Sequence, residues 1–416
     1  MAGTSNLNAF LQTGSEQPPM PLASRLITIA FALVVAGVTL ALHLQPAFNW
    51  DMLGYLGVIE RLKSADDAAV HEEVYGPLRA RVDATTFERL TESIDYRRQV
   101  YADPRAFVQQ TVFYAIRPLY WGLSWGLASL GLDKFTATYL LSNLCYALIA
   151  LACFGYLYRR SSPLYAALGA ALVMLYPALL STGRASTPDI MLALCVLAFF
   201  LLFVRERVLA ACSVLLVAVF VRTDIAVFNA ILAALLLFRP LPSGRKLAAL
   251  GLLTLSLAAA FAIQKLTGFY GWPTIFHFAL IEMTPYPADA AITISLETYL
   301  ATLGAGVREL LGRKWLWLIA LLAVVYLALC RIRPWRVFAV PRLPEALRRA
   351  EAQDVVLLAS LAYLVLRTLI FPASWPRFYL GQITAFHLCL LVAFYARYGA
   401  MLERRLLEFV SPRRPA

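Results

Sequence analysis

Long apolar runs alternate with shorter polar segments along almost the whole chain. About 20 apolar residues in a helix cover the hydrocarbon core of a bilayer, so apolar length predicts about ten membrane-spanning helices. The ten runs cover approximately residues 22–44, 135–158, 164–180, 190–204, 208–221, 225–238, 247–266, 315–330, 355–370 and 380–396. The pattern therefore predicts an all-α polytopic membrane protein.

Two polar stretches interrupt this alternation. The first covers residues 45–134, and its helical periodicity predicts two or three amphipathic helices on the membrane or over the spans. Within it, residues 113–131 contain Arg117 and several Tyr and Trp residues, which indicate a juxtamembrane or re-entrant helix. The second stretch covers residues 267–314. The expected divisions are an N-terminal tail (1–21), a membrane domain (22–396) and a basic C-terminal tail (397–416).

Charge sets the expected orientation. The 416 residues carry a net charge of +12, yet residues 45–112 contain eleven acidic and eight basic residues. Cytoplasmic loops are enriched in Lys and Arg, so both termini and every second loop are predicted to be cytoplasmic. A full span at residues 113–131 would turn the basic loops outward, which supports the interfacial helix. We therefore expect a multi-pass protein of a bacterial inner (plasma) membrane that binds no nucleic acid.

The composition, with 61% hydrophobic and 15% charged residues, excludes a soluble globular domain. The six cysteines lie within or at the ends of apolar runs without a CxxC motif, so buried reduced thiols are expected. The four histidines show no metal-binding spacing, and a structural role is favoured for His277. No cofactor is predicted, and a role for a divalent cation stays open. The first apolar run lacks a small-residue cleavage site and is expected to be a retained anchor.

Asp51 is the first candidate for catalysis. It lies in the segment QPAFNWDMLGYLGVIER, residues 45–61, where the first span ends in Phe48 and Trp50. A carboxylate beside aromatic residues at the membrane interface is only partly solvated, which favours a chemical role. The alternative is that Asp51 caps the helix that follows.

Other charged residues occur where apolar runs end on the predicted outer face. Arginine can bind phosphate through two hydrogen bonds, and a carboxylate can accept a proton from a sugar hydroxyl. A lipid-phosphate substrate requires this combination. The candidate substrate-binding residues are Arg117, Arg377, Arg184, Asp189, Arg222, Asp224, His277 and Glu282.

Structural alternatives stay open for several of these residues. Arg184 with Asp189, and Arg222 with Asp224, can equally form ion pairs that fix the ends of spans. Asp189 also suits the first turn of a helix, where a carboxylate is favoured. The Arg377 side chain can extend to the interface simply to keep its charge in water.

The pattern resembles the GT-C glycosyltransferases, membrane enzymes that use polyprenyl- or dolichyl-phosphate sugars. The similarity rests on four motifs, the first of which places an acidic residue at the start of the outer loop that follows the first span. The motifs are FNWDMLGY, RPLYWGLSWGLASLG, TPDIMLALCVLAFFLL and WPRFYL. The resemblance implies that Asp51 is the catalytic base or positions the acceptor, that Arg117 and Arg377 hold the lipid phosphate, and that transfer inverts the sugar. It points to the mannosyltransferase or aminoarabinose-transferase type.

Two features depart from that family. Its members often have a paired acidic motif in the first loop, whereas Asp51 stands alone and Asp66-Asp67 follow well downstream. The soluble C-terminal domain of some members is not expected, since residues 397–416 alone follow the last predicted span. These departures leave the type of acceptor open.

The sequence thus predicts a membrane glycosyltransferase that moves a sugar from a polyprenyl-phosphate donor to a glycan, lipid or protein acceptor at the outer face. The expected partners are this donor and the lipid bilayer. A transporter or flippase for a lipid-linked substrate is one alternative, and a non-catalytic membrane assembly factor is another. A transporter favours charged residues near the bilayer centre, whereas here they lie at the ends of spans, which favours the enzyme.

Overall fold

The structure, a computed structural model, describes residues 22–330 and 350–410, with side chains to residue 403. This part of the chain is helical and contains no β-sheet. One isolated parallel bridge joins Ala47 to Ala185. The predicted all-α class is therefore confirmed for the described residues. The predicted N-terminal tail and the basic loop at 331–349 lie outside the described residues.

The first apolar helix is followed by six short helices, and five of them begin before residue 113, where two or three were predicted. Asp66, Asp83 and Asp103 each accept a hydrogen bond from a backbone N–H two or three residues on. Such side chains satisfy free N–H groups at helix starts, so each aspartate begins a new helix. The helices are α1 Leu22–Leu44, α2 Trp50–Arg61, α3 Asp67–Arg81, α4 Ala84–Thr91, α5 Asp95–Ala102, α6 Pro104–Ala115 and α7 Pro118–Ser129.

Residues 113–131 do not form one continuous helix. The backbone breaks at Ile116 and Arg117, and Pro118 opens α7 with no N–H to satisfy. Both α6 and α7 have 12 residues, which rules out a single straight span through this segment.

Apolar helices make up most of the remaining chain. They are α8 Lys134–Tyr158, α9 Pro163–Met174, α10 Pro177–Gly183, α11 Asp189–Phe203, α12 Val208–Val221, α13 Ile225–Leu236, α14 Ser243–Leu266, α15 Trp272–Leu280, α16 Leu296–Gly312, α17 Lys314–Leu329, α18 Ala352–Ile370 and α19 Leu380–Val410. A 3₁₀ helix, Pro376–Tyr379, leads directly into α19.

Five helices among the described residues are long and apolar enough to cross a membrane, namely α1, α8, α14, α18 and the segment Pro376–Glu403. Two bent pairs, α9 with α10 at 68° and α16 with α17 at 65°, raise the number to seven. The apolar helices α11, α12 and α13 have 15, 14 and 12 residues. At about 1.5 Å per residue they are shorter than a hydrocarbon core of about 30 Å. The structure therefore supports five to seven spans and not ten.

Helix α2 lies between two hydrophobic cores. Tyr55 and Val58 belong to the core of the helical bundle, whereas Met52 and Leu53 belong to a smaller core formed with α3 to α6. Every residue of α2 from Met52 to Glu60 is buried. This double packing fixes α2, and with it Asp51 in its first turn.

Gly54 allows α6 to approach α2 closely. A Cβ atom at Gly54 would lie 2.3 Å from the Tyr114 ring, and one at Gly57 would lie 2.6 Å from Thr111. Carbon atoms pack at about 3.5–4.0 Å, so a larger residue at either position would force the helices apart. The absence of these two side chains brings Tyr114 beside Asp51.

The second polar stretch is attached to α6. Arg105 donates two hydrogen bonds to the Asp289 carboxylate at 2.9 and 2.8 Å. The Tyr286 hydroxyl donates to Asp103 at 2.6 Å, and the Gln110 side chain donates to the Pro285 carbonyl at 2.8 Å. The two predicted outer stretches therefore lie on the same end of the molecule.

The short helices α11, α12 and α13 pack within the bundle, against α14, α18 and α19. The start of α11, the end of α12, the start of α13 and the end of α18 meet the 3₁₀ helix before α19. The charged candidates of distant segments come together at this meeting point.

Candidate functional site

Asp51 forms an ion pair with Arg377. Its Oδ2 atom accepts a hydrogen bond from Arg377 Nη1 at 3.1 Å, and its Oδ1 atom accepts one from the Tyr114 hydroxyl at 3.4 Å. Asn49 occupies the N-cap position of α2, and Asp51 lies in the first turn. The alternative in which Asp51 merely caps α2 is therefore wrong, since its carboxylate faces side chains from distant segments.

Arg377 links two carboxylates. Besides its bond to Asp51, its Nε atom lies 3.4 Å from Asp189 Oδ2. The Asp189 carboxylate also accepts a hydrogen bond from the Thr187 hydroxyl at 2.7 Å. The Asp51 and Arg377 side chains are 24% and 34% exposed, whereas Asp189 is 4% exposed. A ligand can therefore reach the Asp51–Arg377 pair but not Asp189.

A buried arginine, Arg222, stands behind this pair. It bonds Asp189, and it holds Asp224 through Nε at 3.0 Å and Nη2 at 2.6 Å. Arg367 from α18 adds a guanidinium Nε 3.5 Å from Asp224 Oδ2. Buried charges are costly unless they are paired, and this chain of alternating charges supplies the pairing.

The Phe378 ring lies among three guanidinium groups. The Cζ atoms of Arg367, Arg222 and Arg377 lie 4.0, 4.4 and 5.4 Å from its centroid. The negative face of an aromatic ring attracts cations at such distances. Phe378 therefore allows three positive groups to stay close together next to the carboxylates of Asp189 and Asp224.

Arg117 occupies an aromatic site near Asp51. Its Nη1 atom donates to the buried Tyr55 hydroxyl at 2.7 Å, and its Cζ lies 5.8 and 5.6 Å from the Tyr55 and Tyr114 ring centroids. Arg117 lies within electrostatic range of Asp51 and Asp189 but forms no ion pair in the described part of the chain. Its charge remains available to an anion.

A cavity of about 390 Å³ adjoins Arg377. Polar and aromatic side chains contribute to its wall together with two alanines and a proline. The polar and aromatic contributors are Asn49, Ser181, Thr182, Thr187, Trp375 and Arg377. Because Arg377 lines the cavity and bonds Asp51, a ligand there lies one side chain away from the candidate base.

Three of the predicted site residues are not brought into this cluster. Arg184 does not pair with Asp189, which bonds Arg222 and Arg377 instead, and the Arg184 Nε atom is buried without a hydrogen bond among the described residues. His277 lies on α15 with Nδ1 likewise unbonded, and the exposed Glu282 follows that helix. Proximity in sequence suggested that Arg184 pairs with Asp189. In the fold, Asp189 instead pairs with Arg222 and Arg377, which lie 33 and 188 positions further along the chain.

Sequence reasoning missed Arg367, Asn49 and the hydroxyl groups of the cavity. A lone arginine within an apolar helix is a signal that could have identified Arg367, since such residues require a partner. The segment STGRAST, residues 181–187, contains four hydroxyl residues between two apolar helices. That density of small polar groups could have indicated the cavity wall.

The site combines two partly exposed carboxylates, Asp51 at 24% and Asp224 at 35%, with an excess of guanidinium groups. Asp51, Asp189 and Asp224 face four arginines, namely Arg117, Arg222, Arg367 and Arg377. The site can therefore attract an anion and place it beside a carboxylate that can accept a proton. No group of three or more His, Cys, Asp or Glu side chains suited to a metal occurs in the described ranges. Comparisons of the chain with protein-family models, curated proteins and solved structures find no match.

Proposed function

We propose that this protein is a membrane glycosyltransferase of the GT-C type. It moves a sugar from a polyprenyl-phosphate donor to a glycan, lipid or protein acceptor at the outer face of an inner membrane. The observation that carries the proposal is the ion pair between Asp51 and Arg377, at 3.1 Å, beside a cavity that Arg377 lines. The motifs around both residues are those that resemble the GT-C family.

The ion pair between Asp51 and Arg377 explains how binding of the donor phosphate can activate Asp51 as a base. A phosphate that binds Arg377 competes with Asp51 for the guanidinium, because both are anions that use the same donors. Asp189 retains its contact with Arg377 Nε at 3.4 Å and keeps the guanidinium oriented. Donor binding therefore releases the Asp51 carboxylate for chemistry.

Transfer then proceeds as an inverting displacement. Asp51 accepts the proton of an acceptor hydroxyl, whose oxygen attacks the anomeric carbon of the sugar. The bond between that carbon and the phosphate oxygen breaks, and its electron pair leaves with the polyprenyl phosphate. Arg377 and Arg117 stabilise the charge that develops on the departing phosphate.

A ten-helix arrangement across the membrane fits this chemistry. In this arrangement the short helices α11, α12 and α13 make three further crossings in a locally thin region of the bilayer, where they pack against α14, α18 and α19. Their Arg205, Arg207 and Arg239 flanks then face the cytoplasm, opposite to Asp189, Arg222 and Asp224. Both termini are cytoplasmic in this arrangement.

Turnover of defined donors tests the proposal. The full chain in nanodiscs receives undecaprenyl-phosphate esters of mannose, glucose and 4-amino-arabinose, in the presence of a bacterial envelope extract as acceptor. We expect one ester to release undecaprenyl phosphate, and Asp51→Asn to slow this release by about 100-fold or more. Glu92→Gln, which changes an exposed carboxylate of the same polar stretch, serves as the matched control and should retain the wild-type rate.

Two results would contradict the proposal. One is the absence of release from every ester, and the other is an equal rate for the wild type and Asp51→Asn. A flippase is tested with the full chain reconstituted in sealed lipid vesicles, since it moves the ester between leaflets without releasing undecaprenyl phosphate. Movement without release would favour that alternative.

A further inference from the structure

The hydroxyl groups in the wall of the cavity beside Arg377 donate their hydrogens to other groups of the protein. The Ser181 and Thr182 hydroxyls both donate to the Ala178 carbonyl, at 3.1 and 2.6 Å, and the Thr187 hydroxyl donates to Asp189 at 2.7 Å. A hydroxyl has one hydrogen and two lone pairs. With their hydrogens used internally, all three groups can offer only acceptor oxygens to a ligand.

Asn49 extends this acceptor surface. Its amide nitrogen donates to the Ser186 carbonyl at 3.2 Å, and this bond fixes the orientation of the amide. The Asn49 Oδ1 atom is buried and has no hydrogen-bond partner among the described residues. A buried acceptor without a partner destabilises the protein, so a ligand donor is favoured at this position.

Among the described residues, Arg377 is the only cation and the only charged donor that lines the cavity. A suitable ligand therefore carries several O–H donors and, next to them, one anionic group. An acyl chain lacks the donors, and a bare phosphate would meet acceptor oxygens on most sides. A sugar ring attached to a phosphate satisfies both requirements.

We propose that this cavity binds the single sugar ring of the donor, with its phosphate on Arg377. The ring hydroxyls donate to Asn49, Ser181 and Thr187, and the apolar face of the ring packs on Trp375, which is 38% exposed. A volume of about 390 Å³ lies at the small end of ligand pockets, which run from about 300 to 1,000 Å³. The cavity thus has room for one sugar ring beside the phosphate. The inference rests on the proposed function.

A cavity-filling substitution separates sugar binding from lipid-phosphate binding. Ala178→Leu adds bulk to the wall, and Ala258→Leu adds the same bulk to an exposed position of α14. The measurement is the Kd of the full chain in nanodiscs for sugar-free undecaprenyl phosphate and for its mannose, glucose and 4-amino-arabinose esters. We expect the wild type and Ala258→Leu to bind one ester about tenfold more tightly than the sugar-free lipid. Ala178→Leu should bind both lipids equally.

Each other outcome contradicts a specific statement. If Ala178→Leu keeps the tenfold advantage, or if the wild type shows no advantage, the cavity does not bind the sugar, although the proposed function survives. If the wild type binds neither lipid, the proposed function itself fails. Should Ala178→Leu not fold, Ser181→Ala at an exposed position is the second variant. It should reduce the advantage about threefold or more, and an unchanged advantage would overturn the inference.

Discussion

Arg377 donates a hydrogen bond to Asp51 across 326 positions of sequence, at 3.1 Å. One partner begins the first polar stretch, and the other follows the last-but-one apolar helix. Both side chains are partly exposed, whereas Asp189 and Arg222 behind them are buried. This accessible pair backed by a rigid network is the basis of the account.

Replacing Arg377 with lysine should weaken phosphate binding. A lysine has one ammonium group and cannot contact Asp51 and Asp189 from two nitrogen atoms, as the guanidinium does. We expect Arg377→Lys to raise the Kd for undecaprenyl phosphate about tenfold, measured with the full chain in nanodiscs. The control is Arg308→Lys on the exposed face of α16, which should leave the Kd unchanged. Equal Kd values for both variants would show that charge alone matters at residue 377.

Substitution of Arg222 should destabilise the protein more than substitution of Arg184, although both were predicted to pair with a nearby aspartate. Arg222→Gln leaves Asp189 and Asp224 short of their main partner, and breaking a buried pair costs about 3–5 kcal/mol. Arg184→Gln removes no ion pair and should cost less than about 1 kcal/mol. Equilibrium unfolding of the two variants measures the difference. A larger cost for Arg184→Gln would restore the pairing that sequence proximity suggested.

Substitution of Gly54 tests the contact between α2 and α6. The new methyl group of Gly54→Ala would lie 2.3 Å from the buried Tyr114 ring, so the ring must move, at a cost of about 1–3 kcal/mol. Because Tyr114 also bonds Asp51, donor turnover should fall with stability. Gly122→Ala on α7 has nothing within 4 Å and should be neutral or stabilising by about 0.5–1 kcal/mol. Similar losses in the two variants would refute the steric explanation.

Lys134 should stabilise the junction between α2 and α8. Its ammonium bonds the Glu60 carboxylate at 3.0 Å, and the Glu60 side chain is only 3% exposed. Lys63 pairs with the same carboxylate at 2.9 Å but is 57% exposed, so water screens its contribution. Lys134→Met should therefore lower the free energy of unfolding by about 2 kcal/mol. A change below about 0.5 kcal/mol would show that Lys63 suffices.

The same junction predicts a pH dependence. Burial alone raises the pKa of Glu60, but hydrogen bonds from Lys63 and Lys134 outweigh it, and the pKa lies below its ordinary value. A lowered pKa in the folded state stabilises the protein above the unfolded pKa of about 4.3, and the contribution is lost as pH falls through the folded pKa. The stability difference between the wild type and Glu60→Gln should thus shrink below about pH 4.3. A difference that grows with acid would reverse the sign of the argument.

Much of the helical framework could be predicted from apolar length, because a long apolar run has few alternatives to a helix. The number of spans could not, since the segments around Arg205 and Arg222 end apolar helices after 12 to 15 residues. Apolar content alone does not show whether a helix is long enough to cross a bilayer of ordinary thickness. The sequence pattern does not show how the short helices pack against the rest of the bundle.

The site was predicted in part. Alternating loop charge placed Asp51, Arg117 and Arg377 on one face, and the fold brings Asp51 and Arg377 into contact. Partner choice was predictable only where the partners are close in sequence, as for Arg222 with Asp224. The contact of Asp189 with Arg377 depends on how α11 packs against the 3₁₀ helix, and this packing cannot be predicted from the sequence around either residue.

The central claim is that Arg377 exchanges the Asp51 carboxylate for a lipid phosphate. An electron cryomicroscopy map of the full chain in nanodiscs with undecaprenyl phosphate tests it most directly. The account predicts the phosphate within hydrogen-bond distance of Arg377, with Arg117 nearby and the Asp51 carboxylate free of Arg377. A phosphate at the opposite end of the bundle beside Arg205, with the Asp51–Arg377 pair intact, would contradict it.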